Sequence, residues 1–201
     1  MKTVLLLGDS IRQNYELYVK QALKNRAYVY YPNDNCMFTQ FTLRYLHDWY
    51  RAVLAGQLPD IVHFNCGLWD VLRLSNEEIT FNDLETYVIN LSRIVERILF
   101  LSSETEILFA TTTPVQEPGF TPGKNYGCRK NLDIVRFNEA AVQMFSDKRY
   151  SNNKTVMIDD LYRVAVSLPK EAYSDDVHYD TELGRRRLGD AVVESLLPLL
   201  E

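Results

Sequence analysis

Five short apolar runs recur along the chain: Thr3–Leu7, Ala27–Tyr31, Asp60–Phe64, Glu106–Ala110 and Thr155–Ile158. Runs this short and this apolar read as strands buried on both faces of a sheet. Between them, apolar residues recur at helical spacing over Gln13–Lys24, Thr42–Ala55, Phe81–Ser102 and Leu132–Phe145, and again over Thr181–Leu200. Asn82-Asp83 before Leu84, and Asp180-Thr181 before Glu182, are helix-start signals. Gly56 after Ala55 is a stop signal. Strand and helix alternate throughout, which predicts an α/β fold with a mostly parallel sheet covered on both faces. Five strands in this rhythm suit a three-layer α/β/α sandwich with flavodoxin-like strand order. No repeat, linker or low-complexity segment interrupts the pattern, so residues 1–201 read as one domain.

Composition narrows the class of protein. An apolar fraction of 46% over 201 residues supplies a sizeable core. A net charge of -5 argues against nucleic acid as an obligate partner. The one dense basic run, Arg185-Arg186-Arg187, falls in the last helix, where a solvated face is expected. No stretch reaches the length of a membrane-spanning helix. Met1-Lys2 leads straight into the first strand without a signal peptide, so a cytoplasmic location is expected. Cys36, Cys66 and Cys128 are odd in number and lack metal-type spacing, and read as reduced thiols.

Two motifs carry the chemistry. Gly8-Asp9-Ser10 ends the first strand and leads into a helix, placing a serine hydroxyl at the carboxyl edge of the sheet, where ligands bind in open α/β folds. A helix N-terminus there favours developing negative charge. Near the other end, Asp175-Asp176-Val177-His178 precedes the last helix, with the base three positions after the acid. Singly, each motif reads as turn and cap residues. Together they supply a nucleophile (Ser10), a base (His178) and an acid that orients the base (Asp175). The order Ser, Asp, His is that of α/β-hydrolases, without a G-x-S-x-G elbow.

These blocks resemble those of the SGNH, or GDSL, hydrolase family along nearly the whole chain. The resemblance implies a flavodoxin-like sandwich and a serine esterase that needs no metal or organic cofactor. Its substrate would be a small-molecule acyl ester, O-acetylated carbohydrate among the candidates. The family's third block, Gly-x-Asn-Asp, aligns with Gly67-Leu68-Trp69-Asp70, so the usual oxyanion-binding asparagine falls on Trp69. Asn65, two residues earlier on the same strand face, is a local substitute, or else it ties down the neighbouring loop through backbone hydrogen bonds. The family's second-block glycine is absent from Pro32–Thr39, which leaves the N–H of Cys36 or a close neighbour as donor. The expected oxyanion hole is therefore Ser10, Cys36 and Asn65.

The irregular segment Thr111–Lys130 starts at a strand's carboxyl end and reads as a substrate-binding lid, or as a cover for the sheet edge or a homo-oligomer contact. Tyr126 and Arg129 within it, with Trp69, are the expected substrate contacts, and Lys124 is a further polar one. His63 reads as a satisfied core or supporting residue, and His47 as a packed helix residue. A metal held by Asp9, Asp175 and His178 is the weaker chemical alternative. Two other functions use the same frame: an acyltransferase with the same three residues, and a non-catalytic binding protein, for which the altered third block is the motive.

Overall fold

Val4, Leu5, Leu6 and Leu7 are all fully buried, which only a central strand covered on both faces allows. Each such side chain contributes about 1.5–3 kcal/mol relative to an exposed one. The computed structural model describes residues 1–117, 127–147 and 156–201. Strand β1 (Lys2–Leu7) is followed by α1 (Ser10–Ala22), β2 (Ala27–Tyr30), α2 (Thr39–Leu54), β3 (Ile61–Phe64), β4 (Arg73–Leu74) and α3 (Leu84–Leu101). Then come β5 (Glu106–Ala110), β6 (Gly127–Cys128), α4 (Asn131–Ser146), β7 (Met157–Asp159), α5 (Leu161–Val166) and α6 (Glu182–Leu196).

The main sheet is parallel, in the order β2-β1-β3-β5-β7. Helices α1, α5 and α6 pack together, as do α2, α3 and α4. These two groups cover the sheet in the expected three-layer, flavodoxin-like arrangement. All five strands fall on the predicted runs, and Thr155 lies outside the described residues. The parallel strands direct the segments after Leu7, Phe64 and Ala110 to one edge of the sheet, where Gly8, Asn65 and Ala110 come together.

Three details differ from the sequence expectation. Helix α1 starts at Ser10, three residues early, because the Asp9 carboxylate accepts from the Ile11 N–H at 2.9 Å and caps the first turn. A short antiparallel ribbon pairs Arg73 with Cys128 and Leu74 with Gly127. Two-residue strands are too short to show a period, so the ribbon left no sequence signal. The six residues of α5 are likewise below the length at which helical spacing is readable. No described helix is long and apolar enough to cross a membrane.

Candidate active site

The turn between β1 and α1 is built for close approach. A Cβ on Gly8 would lie 2.8 Å from Arg12 Cβ and 3.5 Å from Asn65 Cβ, so glycine lets the helix and the third strand's end converge there. Asp9 is fully buried and caps α1, which puts Ser10 at the helix N-terminus. Ser10 Oγ lies 2.8 Å from His178 Nε2, and His178 Nδ1 lies 2.7 Å from Asp175 Oδ2. The D-x-x-H spacing achieves this as an Asx-type turn: Asp175 Oδ1 accepts from the N–H groups of Val177 and His178, both at 2.7 Å. The Ser174 N–H closes the turn on the His178 carbonyl at 2.8 Å. Asn14, one helical turn beyond Ser10, accepts from the Tyr179 N–H at 3.0 Å and docks the turn onto α1.

Charge fixes the direction of this relay. Burial raises the Asp175 pKa, but the His178 and Val177 N–H groups and the imidazole more than offset it and hold the carboxyl below its ordinary value. An ionised carboxylate only accepts, so Nδ1 of His178 carries the hydrogen and Nε2 accepts from the Ser10 hydroxyl. The side chains of His178 and Asp175 are 36% and 57% exposed, so an incoming molecule can reach the relay.

The expected oxyanion donors are placed differently. The N–H of Cys36 is committed to the Gly8 carbonyl at 3.0 Å, so the second-block loop braces the serine turn instead of pointing a donor beside it. The next N–H, of Met37, donates to Asn35 Oδ1 at 2.9 Å. Asn65 is buried and its Nδ2 donates to the Ala110 carbonyl at 2.9 Å, tying together the ends of β3 and β5. That is the backbone-tethering role, and it leaves one amide hydrogen of Asn65 for other use. The Ser10 N–H belongs to the first helical turn and has no acceptor within the helix.

Arg12 is a buried link between the serine turn and the 32–34 loop that the sequence reading missed. Its side chain is fully buried, yet its guanidinium donates to the carbonyls of Pro32 (2.9 Å), Asp34 (2.5 Å) and Gly8 (3.3 Å), and it pairs with Glu16. The sequence signal was an arginine in the inward stripe of α1, beside Ile11 and at helical spacing from Tyr15 and Val19.

The third block follows β3, next to the end of β1. Gly67 has φ +154°, and a Cβ there would overlap Thr112 Oγ1. Asp70 is fully buried, and its Oδ1 accepts from the Thr39 N–H (3.1 Å), Thr39 Oγ1 (2.7 Å) and Asn82 Nδ2 (2.6 Å). Burial nevertheless pushes its pKa up to about 6. Trp69 is partly exposed, and the Arg129 guanidinium sits 5.7 Å above its ring centroid. Arg129 Nε donates to the Leu68 carbonyl at 2.5 Å. Burial lowers the Arg129 pKa, and the Asp9 carboxylate counters this. Burial likewise raises Asp9, opposed by the Ile11 N–H and then by the charges of Arg129, Arg12 and His178. Trp69 and Arg129 thus stand together beside the third block, while Tyr126 and Lys124 lie outside the described residues.

The other histidines part company. His63 is fully buried and bonded to Asp159 at 2.8 Å. His47 is exposed on α2, because its position falls outside the stripe formed by Leu46, Trp49 and Tyr50. Among the described residues, no group of three or more His, Cys, Asp and Glu side chains is arranged to hold a metal ion.

The sequence matches no protein-family model and no curated protein significantly. Solved structures do match over essentially the full chain. A lipase/acylhydrolase from Enterococcus faecalis is 20% identical, with a TM-score of 0.70 over 100% of this chain and 98% of that one. A family 3 carbohydrate esterase from Talaromyces cellulolyticus is 16% identical, with a TM-score of 0.69 over 100% and 98%. A GDSL-like protein from Parabacteroides merdae is 15% identical, with a TM-score of 0.64 over 100% and 96%. At these identities the likeness is one of architecture. The chain has the SGNH/GDSL hydrolase fold.

Proposed function

We propose that this protein is a serine-dependent ester hydrolase that cleaves a small acyl ester through an acyl-enzyme. The observation that carries this reading is the continuous relay Ser10 Oγ, His178 Nε2, His178 Nδ1, Asp175 Oδ2, with links of 2.8 and 2.7 Å. Ser10 Oγ bonds to the carbonyl carbon while its proton passes to Nε2, and the carbonyl π pair moves onto oxygen. Collapse of the tetrahedral intermediate expels the alcohol, which takes that proton from His178. Water, deprotonated by His178, then attacks the acyl carbon and releases the acid and Ser10. Asp175 keeps the imidazole in the required tautomer and stabilises its cationic form. The Ser10 N–H and the remaining Asn65 amide hydrogen are available for the oxyanion, and no cofactor enters any step.

The alcohol side is best read as a hydroxyl-rich one, with an O-acetylated carbohydrate as the leading candidate. A cleft of about 380 Å³ beside Asp175 is lined by polar groups, among them Gln116, Glu117, Lys170, Tyr173 and Asp176. The Talaromyces neighbour is named a carbohydrate esterase. Trp69 and Arg129 offer a flat ring and a cation at the third block.

Hydrolysis of p-nitrophenyl acetate, together with fluorophosphonate labelling, tests the reading in wild type and Ser10→Ala. The expected result is labelling and turnover in wild type, with Ser10→Ala losing the label and turnover by about 10⁴-fold or more. A folded wild type that neither labels nor turns over a panel of acetylated sugars would sink the proposal in favour of a binding protein.

A further inference from the structure

An acyl-transfer site needs donors aimed at the oxygen on which charge develops, and such a donor is worth about 10²–10³ in rate. Beside Ser10 that supply is thin. The N–H groups of Cys36 and Met37 are committed to Gly8 and Asn35, and the Asn65 amide is half committed to Ala110. Position 69 presents an indole whose face is covered by a cation instead of a carboxamide. That cation is held on two sides: Nε is pinned by the Leu68 carbonyl, and the guanidinium carbon lies over the Trp69 ring, 5.7 Å from its centroid. The pin uses one of five guanidinium N–H groups, and among the described residues the Nη pair has no other hydrogen-bond partner, which leaves it for an incoming acceptor. We propose that Arg129 is a catalytic residue whose Nη groups donate to the oxyanion formed when Ser10 attacks an ester.

The proposal rests on the hydrolase reading above and names a donor that reading lacks. As the Ser10 Oγ–carbon bond forms and the proton moves to His178, the π pair placed on oxygen meets a fixed positive charge. The arrangement costs little reorganisation, because ring and carbonyl hold the guanidinium in place before substrate arrives. Geometry brings it there: the Asn65 N–H donates to the Leu7 carbonyl at 3.1 Å, so the third block that pins Arg129 leaves β3 alongside the serine turn.

The test uses the full chain with p-nitrophenyl acetate, comparing wild type, Ser10→Ala, Arg129→Ala and Arg129→Gln. Arg129→Ala is expected to lower kcat by about 10²-fold with KM changed less than about threefold, the signature of a contact made only in the transition state. Millimolar guanidinium chloride should restore part of that kcat, while urea at equal concentration should not, and fluorophosphonate labelling should slow in parallel. Arg129→Gln keeps an N–H for the Leu68 carbonyl but no charge, and should show the same loss if Arg129→Ala does not fold. Unchanged kcat, a rise in KM alone, or a loss that guanidinium fails to relieve would overturn the assignment. Wild type without Ser10-dependent turnover would instead remove the hydrolase reading itself, and this one with it.

Discussion

The molecule contains two histidine–aspartate pairs of nearly equal length and opposite circumstances. His178 and Asp175, at 2.7 Å, stand at the rim of the sheet, partly exposed and three residues apart. His63 and Asp159, at 2.8 Å, are 96 residues apart and bridge β3 to the end of β7 with almost no exposure. In the first pair the second ring nitrogen meets Ser10, whereas in the second His63 Nδ1 has no hydrogen-bond partner among the described residues. The Tyr15 ring lies edge-on to His63, 6.4 Å away between centroids. A His–Asp contact is therefore no mark of chemistry by itself. What distinguishes the rim pair is a third partner and access for an incoming molecule.

Deleting each histidine should separate these roles. His178→Ala should lower turnover by about 10³-fold or more, because His178 is the base hydrogen-bonded to Ser10, while shifting the urea unfolding midpoint little. Steady-state kinetics that stayed near wild type would remove His178 from the relay. His63→Ala should do the reverse. It leaves Asp159 buried without its partner, at a cost of about 3–5 kcal/mol in unfolding free energy, with kcat per folded molecule close to wild type. Equal stability of the two variants would erase the contrast between rim and core.

A smaller effect extends the contrast to Asp70, a buried acid with no histidine. Its carboxyl is raised to about 6 by burial, so folding favours the neutral form. The resulting stability is fully present below the ordinary carboxylate value near 4 and is lost as pH rises through about 6. Urea unfolding of wild type and Asp70→Asn across that window should therefore diverge, with wild type losing on the order of 2 kcal/mol relative to the variant. Parallel curves would mean that Asp70 is not the titrating group.

Legibility in the sequence followed the range of the interaction. The strands of the main sheet were readable because burial on both faces writes a continuous apolar run into local sequence. The helix starts at Leu84 and Glu182 were readable because Asp83 and Thr181 cap through their own near neighbours. Asp175 and His178 were readable as a pair for the same reason, and Ser10 through its strand–turn–helix setting. Less visible were contacts between distant backbone groups. The Cys36 N–H has the same chemistry whether it faces an oxyanion or the Gly8 carbonyl, and only the loop's path decides. Asn65 is similar: its partner is a carbonyl 45 residues away. The approach of Arg129 to Trp69 depends on a ribbon of two-residue strands, too short to leave a pattern, although both residues are expected substrate contacts.

Arg12 has a consequence for motion. One planar group holds the carbonyls of Gly8, Pro32 and Asp34, so the serine turn and the 32–34 loop cannot drift independently. Their thermal displacements should be correlated, moving as one body against the sheet. The separation between Ser10 and that loop then fluctuates less than the position of either, so the serine keeps a constant floor while the whole body remains free to breathe.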